Sequence, residues 1–195
     1  MSQTPEQILI AGCKRKDRIY QEQLYKLYYS LFLKICIRYA KNKEDAEQLV
    51  HDGFIKIFNS IDQYQFTGSF EGWMKKIVVN LCLDYIKSKK IKEENLTTSA
   101  DALPENLSDF VNYEDIIAGI SFKELLDVIH ELPLMSRTVF NLYVLDGFTH
   151  KQISERLEIS EGTSSWHLHH ARSFLKQKLK NLSRQHIKGK HHGQG

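Results

Sequence analysis

Acidic residues are missing from the whole stretch Gly162–Gly195, and basic residues are missing from Glu93 to Phe122. The formal net charge of +3 over 195 residues hides this sorting. An acid-free surface suits contact with a phosphate backbone. The middle, with Glu93, Glu94, Asp101, Glu105, Asp109, Glu114 and Asp115, does not. Proline is scarce: Pro5, Pro104 and Pro133 fall near the N-terminus, in the middle and before a helical pattern, so few helices are interrupted. Cys13, Cys36 and Cys82 are odd in number, widely spaced and form no CxxC. That excludes a disulfide framework and a thiolate zinc site, and it fits idle or buried thiols in a reducing cytoplasm. No run approaches about 18 uncharged apolar residues, so no membrane insertion is expected. The N-terminus puts its apolar patch before its lysines, the wrong order for a signal peptide. GxSxG, HExxH and a glycine-rich phosphate loop are all absent, and no enzyme activity is expected. His167, His169, His170, His191 and His192 invite a metal, yet helix neighbours diverge by about 100 degrees and no acid or thiol lies nearby. Neither metal nor cofactor is expected.

What is present is helix. At 42% hydrophobic and 26% charged residues the chain is globular in class. Ile19–Ala40 repeats Leu24, Leu27, Tyr28, Leu31, Ile35 and Tyr39 at spacings of three and four. A second helix carries Ala46, Leu49, Val50, Gly53, Phe54, Ile57, Phe58 and Ile61 as a seam, opposite a long polar face. The loop Ser60–Ser69 holds two aromatics, Tyr64 and Phe66, which either stack on unpaired bases or fold back onto the core. Ser69 then caps a third helix with a basic, polar side at Lys75, Lys76, Asn80 and Lys87. These patterns predict a three-helix bundle over 5–92, and an acidic linker over 93–112.

The second domain is expected over 113–185. A helix over Ile116–Leu132 stops at Pro133, Ser136 caps the next, and Asp146-Gly147 ends it. Thr149 and Gln152 form a capping-box pattern ahead of Ile153 and Leu157. Ser160 caps a further helix bearing Trp166, Leu168, Phe174, Leu175 and Leu179, which runs into a tail rich in lysine and histidine. Helix, tight turn and basic second helix is the helix-turn-helix pattern, whose second helix reads the major groove. The predicted class is all-α, with two small helical domains joined by an acidic linker.

The order of these pieces resembles the extracytoplasmic-function (ECF) sigma factors, initiation factors of bacterial RNA polymerase. KNKEDAEQLVHDGFIKIFNSIDQYQ is similar to the family's core-docking helix, and FTGSFEGWMKKIVVNLCLDYIKSKK to its promoter-melting helix. LPLMSRTVFNLYVLDGFTHKQISERLEISEGTSSWHLHHARSFLKQKL is similar to its helix-turn-helix domain. The resemblance implies that Asp45, Glu47, Gln48, Asp52 and Lys56 contact the coiled coil of the polymerase's largest subunit. It implies that Tyr64, Phe66, Lys75, Lys76, Asn80 and Lys87 serve the −10 element, where the duplex opens and a base flips out. Ser164, Ser165, His167 and His169 would then read the −35 element, with Arg172 and Lys176 on phosphate. The implied partners are RNA polymerase core, including the flap of its second-largest subunit, promoter DNA and an anti-sigma protein, in the cytoplasm. The alternatives are a dimeric helix-turn-helix regulator that binds duplex DNA without polymerase, and a helical adaptor.

Two positions depart from the family pattern. Glu158 stands where glycine is frequent in the turn, a place that often needs a left-handed backbone. Trp166 and His167 stand where small or basic residues are usual, and partial packing is expected of Trp166.

Overall fold

Side chains that answer the orphan N–H groups of a first helical turn set most helix starts in this chain. The computed structural model describes residues 4–94 and 122–191, and every regular element among them is helical. The chain divides into two compact units, one within Met1–Glu105 and one within Asn106–Gly195.

In the first unit Thr4 and Gln7 form a capping box that starts α1, Pro5–Lys14. Asp17 caps α2 (Arg18–Cys36) and Asn42 caps α3 (Lys43–Ser60), which tightens into a 3-10 turn at Ile61–Gln63. The Ser69 hydroxyl accepts from the Gly72 N–H at 3.1 Å at the start of α4, Phe70–Glu94. The unit therefore has four helices rather than three: α1, opened by the Thr4–Gln7 box, buries Leu9, Ile10, Gly12 and Cys13 on one short face ahead of the three longer helices. Gly12 permits the corner between α1 and α2: a Cβ there would lie 2.1 Å from Cγ of Tyr20.

The core of this unit is aromatic and apolar. Phe32 and Phe54 meet at 5.1 Å between ring centres, and Ile10, Tyr39, Phe70, Met74 and Val78 are fully or almost fully buried beside them. Leu27 corrects the expected stripe of α2. It is 61% exposed, and the inward positions are Leu24, Phe32, Ile35 and Cys36.

The second unit is built on α8, Glu161–His191, against which α5 (Phe122–His130), α6 (Leu134–Phe140) and α7 (His150–Leu157) pack. Val128, Ile129, Leu132, Ala171 and Leu175 form a buried cluster flanked by Leu125, Phe140, Phe174 and Leu182. A π-helical turn, Asn141–Leu145, follows α6, and Gly147 at φ 74° carries the chain toward α7. The Thr149 capping box forms as its sequence suggests. Ser160 accepts from the Thr163 N–H at 2.9 Å at the start of α8. Glu158, between α7 and α8, takes the left-handed conformation at φ 57°, ψ 42°. Ser136 does not cap a helix: α6 begins at Leu134 after Pro133, so Ser136 lies inside it and is buried. In the expected linker, Glu93 and Glu94 belong to α4. Residues 95–112 of that linker and 116–121 of the expected next helix lie outside the described residues.

Candidate nucleic-acid and protein interfaces

Helix α3 buries Ala46, Leu49, Val50, Gly53, Phe54 and Ile57, which turns a polar surface outward. Glu44, Gln48, His51, Ile55 and Lys56 are exposed there. Gln48 donates through Nε2 to Asp52 Oδ1 at 2.9 Å. Gln48, Asp52 and Lys56 follow one another at four-residue spacing and share a stripe. The other two expected contacts are turned elsewhere. Asp45 accepts a hydrogen bond from Tyr85 Oη at 2.6 Å, and so holds α4 to the start of α3. Glu47 faces α2, where its charge adds to burial in raising the pKa of Tyr25 and Tyr29. Ile55, 58% exposed amid the polar stripe, is an apolar residue on this surface that the seam pattern does not single out.

The loop after α3 separates its two aromatics. Tyr64 is only 4% exposed; its hydroxyl donates to the Gly68 carbonyl at 2.7 Å, and its ring packs on Phe70 and Trp73. It braces the loop and offers no free ring face for stacking, which corrects that part of the expectation. Phe66 is 53% exposed, stands at φ 59° and leans on Tyr64. Lys14 reaches across from α1, donating to the Tyr64 carbonyl at 3.3 Å with its ammonium 5.5 Å from the Phe66 ring centre. On α4, Lys76, Asn80 and Lys87 recur at spacings of four and seven on one stripe. Lys75 lies off that stripe and pairs with Glu71 at 2.6 Å.

Helix α8 sorts the −35 candidates by register. Ser164, Leu168, Ala171 and Leu175 point into the core. Ser165, His169, Arg172 and Lys176, spaced four, three and four apart, form an exposed stripe. Ser164 is a correction: it is wholly buried, and its hydroxyl lies 2.9 Å from His150 Nδ1, so it ties α7 to α8 and reads no base. His167 is turned the same way in part. Its Nδ1 lies 3.0 Å from the buried Ser136 hydroxyl, and His170 Nδ1 lies 3.2 Å from the same oxygen. One hydroxyl proton serves only one of the two rings, so the other must donate its own N–H. Burial, and secondarily His170, hold the His167 pKa below its ordinary value. Trp166, expected to pack in part, is 61% exposed and packs against the His167 and His170 rings of its own helix. It stands two residues from Ser164 and two from Leu168, on the side away from the core, a register readable in the sequence. Arg172 lies over the Tyr143 ring at 5.8 Å.

Among the described residues, no group of three or more His, Cys, Asp or Glu is placed to hold a metal ion. Among the same residues no helix is long and apolar enough to cross a membrane. Cys13 is buried, and burial, then Asp17, push its thiol up to about 11, which makes it a poor nucleophile.

Two family models match in the order the units occur: sigma-70 region 2 over residues 24–91, and sigma-70 region 4 over residues 122–175. The chain is 30% identical over 178 residues to the ECF RNA polymerase sigma factor SigE of Mycolicibacterium smegmatis, covering 90% of this chain and 65% of that protein. It is 28% identical to the ECF RNA polymerase sigma factor SigW of Bacillus subtilis, covering 89% of this chain and 96% of that one. In fold it is similar to the sigma factor RpoE solved with the anti-sigma factor NepR from Bartonella quintana. There the TM-score is 0.56 at 16% identity, over 82% of this chain and 96% of that one. The chain belongs to the ECF sigma factors, proteins that direct RNA polymerase to promoters and are not themselves enzymes.

Proposed function

We propose that the first unit docks on RNA polymerase and opens the −10 element, while the second reads the −35 element as duplex. The observation that carries this division is the pair of exposed stripes. Gln48, Asp52 and Lys56 on α3, with Ile55 beside them, form a mixed apolar and polar surface suited to a protein helix. Ser165, His169, Arg172 and Lys176 on α8 form an acid-free surface suited to the groove and phosphates of DNA. The largest subunit's coiled coil is the partner proposed for α3, and the flap of the second-largest subunit for the second unit. Phe66, Lys76, Asn80 and Lys87 are assigned to the unpaired −10 strand: ring for stacking, amide for a base edge, ammonium groups for phosphate. Lys75, engaged with Glu71, has a lesser share. The fold shared with a sigma factor solved with its anti-sigma partner supports an anti-sigma protein as a controlling partner here. A polymerase-bound factor works in the cytoplasm.

The test is transcription from a genomic DNA library by purified core polymerase, with and without this chain. Start sites with a common −35 and −10 pair should appear only when both are present. A palindromic footprint made by the chain alone, with no such start sites, would favour a dimeric regulator.

A further inference from the structure

Trp166 is the large side chain that the family's duties leave unused. Its position is built. The indole stacks on His170, with ring centres 5.4 Å apart and planes 13° apart, and meets His167 edge-on at 4.9 Å. Both imidazoles converge through Nδ1 on the buried Ser136 hydroxyl of α6. A large exposed ring held in this way has lost most of its rotamer freedom before any partner arrives, which removes part of the cost of binding.

Trp166 is the sixth residue of α8 and lies one turn before His169, close to the stripe of Ser165, His169 and Arg172. It belongs to the N-terminal part of a recognition helix, the part that meets base edges. The chain carries no acid from Gly162 onward, so a lone apolar ring is set in a field that attracts an anionic surface and repels a basic one. In the major groove the one apolar feature a base pair presents is the 5-methyl group of thymine.

We propose that Trp166 is a specificity residue of the second unit: its indole, clamped by His167 and His170 on Ser136, covers a thymine methyl in the −35 element. This rests on the reading of α8 as the −35 helix. Ser136, His167 and His170 are positioning residues that aim the ring. The same clamp explains why His167 and His170 face α6 and not the groove.

The experiment uses holoenzyme on a promoter mapped as above. Each thymine of the −35 element is replaced singly by deoxyuridine, which removes only the methyl group. Wild-type holoenzyme should lose about fourfold in promoter affinity at one position, the factor that burial of one methyl corresponds to. Trp166→Ala should bind the unmodified promoter more weakly and lose that single sensitivity, while melting like wild type because the side chain is exposed. Trp166→Phe, which keeps a ring, should retain part of the sensitivity and serves if the alanine variant melts early. Ser136→Ala should weaken binding but keep the pattern at the same thymine, since the ring is loosened and not removed. Identical deoxyuridine profiles for wild type, Trp166→Ala and Trp166→Phe would overturn the inference and leave the indole to a protein partner. A wild-type holoenzyme indifferent to every change in the −35 element would instead sink the reading of α8.

Discussion

The two units solve the same packing problem with different chemistry. The first buries rings and aliphatic chains, and Arg38 is the one polar residue among its buried described side chains. The second buries His130, Ser136, Thr138, Asn141 and Ser164 around a smaller apolar cluster. In the first unit helix positions are fixed by shape, so a polar stripe such as that of α3 stays where the seam puts it. In the second, hydrogen bonds between Ser164 and His150, and between Ser136 and two imidazoles, help set the rotation of α8. A dry core responds to lost volume; a hydrogen-bonded junction responds to lost partners and to protons.

The chain holds two tryptophans, Trp73 in the first unit and Trp166 in the second, so each unit can be followed by its own fluorescence once the other is changed to Phe. The largest effect is expected in the dry core. Phe32→Ala should cost about 3–5 kcal/mol in the transition reported by Trp73, since the ring is wholly buried against Phe54. An equal loss at Trp166 would mean the two units do not unfold separately. Next comes the polar junction. Ser164→Ala should cost about 1–3 kcal/mol in the Trp166 transition, because the side of His150 that meets α8 loses its partner. Unchanged denaturation would show that the pair is ornamental.

A smaller effect of opposite sign is expected at the turn. Glu158 adopts the left-handed conformation without glycine's freedom, so Glu158→Gly should stabilise the second unit by about 1 kcal/mol, seen as a raised denaturation midpoint. The smallest effect is that of pH. The folded unit holds the His167 pKa below its ordinary value of 6.5, chiefly through burial. The unfolded chain therefore binds that proton more readily. The stability due to neutral His167 is complete above about pH 6.5 and is lost as pH falls through the lower folded value. Denaturation followed by Trp166 should weaken over that interval, and His167→Gln should flatten the response.

How much of this was legible beforehand differs between the units for the same reason. Apolar spacing placed α2, α3 and α4, because a core packed by shape leaves its period in the sequence. It misassigned Leu27, since a stripe three and four apart is wider than the face a bundle covers. It passed over α1, whose ten residues carry only a short stripe, Leu9, Ile10 and Cys13, behind the Thr4–Gln7 box. In the second unit the Thr149 and Ser160 caps and the left-handed Glu158 could be read from local chemistry. The roles of Ser136, Ser164 and His167 could not: a serine bridging two helices leaves no period and no spacing. Asp45 is similar, because its bond to Tyr85 joins residues 40 apart in the chain. The family resemblance pointed to α3, α4 and α8, and register within each helix decides which of their side chains are exposed.

The division of labour between the units can be tested by one paired measurement of core-polymerase capture and promoter affinity. Gln48→Lys with Asp52→Lys turns the exposed stripe of α3 basic without touching the Asp45–Tyr85 bond, and it should abolish co-purification with core polymerase while helical circular dichroism is kept. Arg172→Ala should leave co-purification intact and lower the slope of log promoter affinity against log salt by about 0.9, the share of one phosphate contact. Normal co-purification of the α3 double variant, or loss of core binding in Arg172→Ala with an unchanged salt slope, would contradict the account.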